Sequence, residues 1–175
     1  DVYKRQDMAC GPKYFTYINQ ELPTLYRRFF GIQPVPERTY IMGLSMGGYG
    51  AMKCAFTAPQ QYAGCAGFSS VAEIQAELPQ LCRWHEDQAI FPHGIVLPQD
   101  DLFDLVEKFR DGTCPMPRLF LACGQQDSLY PANLRLRDTL QAMNWPLTWY
   151  EAPGDHNWFF WNDALGRAMK ELLEN

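Results

Sequence analysis

Between Tyr14 and Phe30, apolar side chains recur at Phe15, Ile18, Leu22, Leu25 and Phe29, the spacing of an amphipathic helix. Pro23 marks a point at which that helix kinks or splits. Pro34 and Pro36 then read as a loop. A short apolar run over 38–42 predicts a strand that ends at Gly43, and the small-residue-rich stretch 46–58 predicts a helix stopped by Pro59. Three further strands are predicted at 64–69 (GCAGFS), 119–123 (LFLAC) and 147–150 (LTWY). Helical spacing recurs over 100–110, 132–143 and 160–173. Short β-rich runs alternating with amphipathic helices imply βαβ crossovers and hence a mostly parallel sheet flanked by helices, an α/β fold.

Residues 71–99 break this alternation. They carry Pro79, Pro92 and Pro98, two histidines and a tryptophan. Two readings stay open for this irregular insertion: a segment that shapes a pocket, or a surface excursion. No repeat, low-complexity tract or linker divides the chain, so residues 7–175 read as a single domain. The first six residues, DVYKRQ, have neither an initiating Met nor an apolar signal core and read as a non-native leader, with the natural start missing.

Composition narrows the class. Of 175 residues, 47% are apolar and 20% charged, which excludes a wholly disordered chain. No stretch approaches the roughly 18 apolar residues of a membrane helix. The net charge is −5 and the longest basic run is Arg27-Arg28, so a nucleic-acid partner is disfavoured. The six cysteines form no CxxC pair, and Cys54, Cys65 and Cys123 lie in apolar runs. They read as buried reduced thiols, which points to the cytoplasm.

The chemistry concentrates in Gly43-Leu44-Ser45-Met46-Gly47, a G-x-S-x-G pentapeptide between a predicted strand and a predicted helix. Such a turn lifts the Ser45 hydroxyl clear of the sheet. Side chains at Gly43 or Gly47 are expected to collide with neighbouring backbone, and Gly48 lets the helix lie close to the sheet. The helix N-terminus favours developing negative charge, and the Met46 amide is a natural oxyanion donor. A serine hydroxyl needs a base to act as a nucleophile. His156, in Gly154-Asp155-His156-Asn157-Trp158, follows the last predicted strand; His85 and His93 lie in the irregular insertion. The acid should follow the preceding strand, where Asp127 stands in Gly124-Gln-Gln-Asp127. Asp127 also fits a turn-forming role before Pro131. Asp155 is too close in sequence to reach its neighbour's ring easily. Leu44, Tyr130 and Trp158 are candidates for the pocket, and a thiol or metal cluster is not called for.

The segments GLSMGGYGAMKCAF (43–56), LFLACGQQDSLYPAN (120–133) and APGDHNWFFW (152–161) resemble the esterase family of α/β-hydrolases. That family includes esterase D (S-formylglutathione hydrolase), tributyrin esterases, feruloyl and acetylxylan esterases and mycolyltransferases. The stretch 7–23 resembles the lead-in to the elbow in the bacterial tributyrin-esterase branch. The resemblance implies an α/β-hydrolase fold, Ser45 as nucleophile, Asp127 as acid, His156 as base, and hydrolysis of short-chain acyl esters, acetylated carbohydrates among them. It implies no metal or organic cofactor and a small-molecule ester as partner, and leaves a homo-oligomer open. The alternatives are an acyltransferase or S-formylglutathione thioesterase with the same three residues, or a non-catalytic binding domain. The family's first strands and a second oxyanion amide should lie before residue 7. Their absence would expose the apolar edge of the elbow strand and leave this chain weakly active or inactive.

Overall fold

Four parallel strands lie side by side in chain order: β1 (Tyr40–Leu44), β2 (Gly64–Phe68), β3 (Arg118–Gly124) and β4 (Leu147–Ala152). The register runs from Tyr40 opposite Gly64 to Leu44 opposite Phe68, then Gly64 opposite Arg118, then Leu119 opposite Leu147. The computed structural model describes residues 6–8, 11–81 and 90–174, and of Gln80 and Leu81 the backbone alone. Cys10, Cys82, His85 and the predicted leader apart from Gln6 therefore lie outside the described residues.

Alternation along the strands explains why both faces are covered. Ile41, Cys65, Leu119, Leu121, Leu147 and Trp149 contribute to one apolar cluster. Tyr40, Met42, Leu44, Ala66, Phe68, Phe120, Ala122, Tyr150 and Ala152 contribute to the other. The first cluster packs against α3 (Met46–Thr57), α4 (Ile74–Leu81), α5 (Leu102–Glu107) and α6 (Tyr130–Ala142), the helices that connect successive strands. Strands that step in one direction with right-handed crossovers put all their connections on one face. The opposite face is left to α7 (Trp158–Leu173), which follows β4 and buries Phe160, Trp161, Ala164, Ala168 and Leu172.

The elements depart from their predicted limits for identifiable reasons. The first strand runs on through Gly43 and Leu44 because its pairing with β2 continues to the end of the elbow. Just before it, Pro36–Arg38 form a 3₁₀ turn. Residues 100–110 narrow to α5, because the Asp101 side chain accepts from the amides of Phe103 and Asp104 and so sets the helix start. Asn157 caps α7 in the same way, which moves its start from residue 160 to Trp158. The predicted helix 14–30 forms as α1 (Tyr14–Thr16), a π-helical turn (Tyr17–Glu21) and α2 (Leu22–Phe30). Pro23 has no N–H to give, and the chain accommodates it with a wider turn in which Leu22 N–H donates to Tyr17 C=O. The insertion is no mere surface excursion where it is described: Val71, Ala72, Ile74, Leu78 and Phe91 are buried in the first cluster.

On the side of β1 away from β2, no further strand pairs with it among the described residues. An apolar groove of about 310 Å³ runs there, lined in part by Tyr14, Phe15, Ile18, Ile41 and Met42. The apolar stripe of α2 is likewise uncovered, with Phe29 69% and Phe30 70% exposed. No helix among the described residues is long and apolar enough to cross a membrane.

Inside α3, Lys53 is buried and paired with the Asp100 carboxylate, while its ammonium also lies 4.9 Å from the centre of the Phe15 ring. Tyr49 O–H donates to Asp100 C=O at 2.6 Å. The two side chains thereby fasten the end of the insertion to the helix that follows the elbow. Removing one partner of a buried ion pair strands the other charge. Lys53→Met is expected to lower unfolding free energy by about 3 kcal/mol or more. The double variant Lys53→Met/Asp100→Leu should cost less than the single one, as read from denaturant unfolding.

Candidate active site

The turn between β1 and α3 carries Ser45 with φ 55° and ψ −124°. A non-glycine residue there is strained and must be held by its surroundings. Ser45 N–H donates to Phe68 C=O at 2.8 Å, and Ser45 C=O accepts from the amides of Gly48, Tyr49 and Val71. Although Ser45 occupies the N-cap position of α3, its hydroxyl makes no capping bond. It is directed instead to His156, whose Nε2 lies 3.0 Å from Ser45 Oγ.

The glycines of the pentapeptide act differently from one another. A Cβ at Gly43 would sit 2.1 Å from Gly47 C=O, and one at Gly48 would sit 2.3 Å from Ser70 Oγ. Gly47 corrects the sequence expectation: a Cβ there meets nothing within 4 Å, because it faces the groove beside the open edge of β1. Met46, the first residue of α3, is buried, and its amide belongs to the first helical turn, whose N–H groups have no intrahelical acceptor.

The loops after β3 and β4 meet closely. A Cβ at Gly124 would lie 2.4 Å from Gly154 C=O. Gln126 N–H donates to Gly154 C=O at 2.9 Å, and Gly154 N–H donates to Gln126 Oε1 at 2.6 Å. This lacing brings Asp127 Oδ2 to 2.9 Å from His156 Nδ1. Its other oxygen, Oδ1, accepts from Leu129 N–H at 2.9 Å, so the turn-forming role of Asp127 is compatible with its contact to His156. Burial alone would raise the Asp127 pKa. Hydrogen bonds from His156, Ser69 and the Leu129 amide outweigh it and hold the carboxyl below its ordinary value. Asp155 accepts from the backbone N–H of His156 and so shapes the loop.

The other candidates divide. Tyr130 O–H donates to Glu151 at 2.9 Å, which ties α6 to β4. Leu44 is half-buried against the α7 side of the sheet. Trp158 is 65% exposed, with its ring edge-on to Trp161 at 5.6 Å, and its neighbour Phe159 is 93% exposed. His93 stands in the 3₁₀ turn Pro92–Gly94 of the insertion. Sequence reasoning passed over Ser69 and, among the aromatic residues after His156, favoured Trp158 over Trp161 for the pocket. Trp161 Nε1–H donates to Ser69 Oγ at 3.0 Å, and its ring lies edge-to-face with that of His156 at 4.9 Å. The tryptophan at the fourth position of the WFFW run was the only signal for it in the chain.

Two predictions rest on this geometry. Gly43→Ala forces backbone apart and should cost about 3 kcal/mol or more, whereas Gly47→Ala should be neutral or stabilising by up to about 1 kcal/mol, since alanine is the better helix former. Thermal unfolding of the two variants checks this contrast. The lowered Asp127 pKa also sets a pH window. A carboxyl depressed on folding contributes stability above its unfolded value near 3.8 and loses that contribution as pH falls through the folded value. Asp127→Asn should therefore be less stable than the parent at neutral pH, and the gap should close below pH 3.8 in denaturant titrations at stepped pH.

Comparison with known proteins assigns the family. The profile of the family described as "Putative esterase" matches residues 4–108. The acetyl esterase of Caldicellulosiruptor saccharolyticus is 28% identical over 88% of this chain and 61% of its own length. Fluorophosphonate-binding serine hydrolase F of Staphylococcus aureus superposes with a TM-score of 0.87 at 29% identity, covering 100% of this chain and 69% of that one. S-formylglutathione hydrolase from the same organism gives a TM-score of 0.76 at 31% identity, over 91% of this chain and 60% of that one. The chain thus spans about three-fifths of the acetyl esterase and of that S-formylglutathione hydrolase. It belongs to this esterase family, with the α/β-hydrolase arrangement of its serine hydrolases.

Proposed function

We propose that the protein is a serine carboxylesterase in which Ser45 is the nucleophile, His156 the base and Asp127 the acid. The observation that carries this reading is the continuous chain of contacts from Ser45 Oγ through both nitrogens of His156 to Asp127 Oδ2, at 3.0 and 2.9 Å. His156 Nε2 takes the hydroxyl proton as Ser45 Oγ attacks the ester carbonyl. Asp127 accepts from Nδ1, fixes the tautomer and stabilises the imidazolium. The tetrahedral oxyanion is met by the Met46 amide and by a second amide expected from a loop N-terminal to residue 7. Collapse expels the alcohol, which takes the proton from His156. Water then repeats the sequence on the acyl-enzyme, releasing the acid and restoring Ser45.

Short-chain acyl esters are the proposed substrates, and the likeness to an acetyl esterase supports acetyl groups first. The likeness to an S-formylglutathione hydrolase supports a second reading, thioester hydrolysis with the same three residues. Relative kcat/KM for acetyl esters and for S-formylglutathione separates the two, and burst kinetics with and without an added alcohol detect acyl transfer.

A fluorescent fluorophosphonate should label the protein at Ser45. Labelling should vanish in Ser45→Ala and slow by about a thousandfold or more in His156→Ala. The test is run on the 175-residue chain and on a version carrying a family-like N-terminal extension. Labelling that survives Ser45→Ala would sink the assignment.

A further inference from the structure

Ser69 follows β2 directly, is fully buried, and has φ 46°. Glycine occupies that region freely and residues with a Cβ do not. The turn is held from three sides. Ser69 N–H donates to Ala122 C=O at 2.7 Å, from β3. Asn133, on α6, accepts from Ser70 N–H at 3.2 Å and donates to Ser70 C=O at 2.8 Å. Val71 N–H donates to Ser45 C=O at 3.3 Å, in the elbow itself. A serine kept in a strained, wholly buried position calls for a use of its hydroxyl.

The hydrogen bonds supply one. An indole N–H can only donate. Trp161 Nε1–H therefore occupies an acceptor position on Ser69 Oγ, at 3.0 Å. The Cys123 thiol approaches the same oxygen at 3.9 Å. The indole is thereby anchored on a strained, buried turn that is itself tied to β3, α6 and the elbow. The His156 ring is held at Nδ1 by Asp127 Oδ2 at 2.9 Å. The indole anchored on Ser69 is the one that packs at 85° to the His156 ring.

We propose that Ser69 and Trp161 are positioning residues: the Ser69 hydroxyl, accepting from the Trp161 N–H, fixes the indole, and the indole braces the His156 imidazole between Ser45 and Asp127. This rests on the reading of Ser45, His156 and Asp127 as the catalytic groups. Ser69 and Trp161 act through those groups and not on substrate.

Ser69→Gly and Ser69→Ala separate the hydroxyl from the backbone. Both remove the oxygen; only glycine also relieves the positive φ. Trp161→Phe keeps an aromatic ring beside His156 and removes the donor. All three are expected to slow fluorophosphonate labelling of Ser45 about fivefold or more, the weight of one lost hydrogen bond. With an ester substrate the loss should fall on kcat with KM unchanged. Ser69→Gly should have the higher Tm of the two serine variants yet label no faster. Labelling of Ser69→Gly at the parent rate, in a protein where Ser45→Ala abolishes labelling, overturns the positioning role while leaving the catalytic reading intact. Recovery of the rate in Ser69→Gly relative to Ser69→Ala overturns it too, since strain alone would then explain the loss. A stability double-mutant cycle of Ser69→Gly with Trp161→Phe needs no activity. Non-additive effects support the link and additive effects refute it, even if the parent chain proves inert to the phosphonate.

Discussion

The backbone strain at Ser45 is the constraint on which the carboxyl edge of the sheet depends. A residue with a side chain sits at φ 55° only because its amide is tied to Phe68 C=O and its carbonyl accepts from three amides. The tie to Phe68 is the last rung of the β1–β2 register, so strand pairing and elbow geometry are one structure. Gly43 completes the restraint, since any Cβ there would drive the following helix turn away. With the turn so held, the Ser45 hydroxyl forgoes the capping bond that serines at helix starts commonly make and is available to His156.

The other two groups are brought in by the same principle of parallel strands ending at a common edge. Asp127 and His156 stand on loops after β3 and β4, and two glycines let those loops touch. Asp127 serves two purposes through its two oxygens, shaping its own turn with one and meeting the imidazole with the other. The turn after β2 belongs to this assembly as well. Ser69 and Ser70 are fastened to β3, α6 and the elbow, so every strand contributes a loop to the site.

Much of this was legible in the chain. The pentapeptide, the order Ser, Asp, His and the strand–helix alternation led to the right fold class and to three residues that do meet. What was not legible depends on contacts between distant segments. Gly43 and Gly47 are equivalent in the motif, and only the open edge of β1 makes one indispensable to packing and the other free of it. Ser69 carries no motif, and its contact with Trp161 comes with a positive φ that nothing in GFSS announces. The apolar spacing of 14–30 was read correctly as a helix, but periodicity cannot say what covers its stripe. Local caps at Asp101 and Asn157 account for the shifted helix ends, since side-chain capping competes at a finer scale than hydrophobic period.

The placement of α7 has a consequence for the order in which the protein comes into being. It is the only long helix among the described residues on its face of the sheet, and it follows every other described element. During synthesis the turn that carries Ser45 emerges before α7, as do its partners β2 and β3, but Phe68, Phe120 and Ala122 lack the cover of α7 until that helix leaves the ribosome. Trp161 and His156 arrive with that same segment. Closing the second face of the sheet with α7 and bringing His156 to Ser45 are therefore a single step, later than the formation of the elbow.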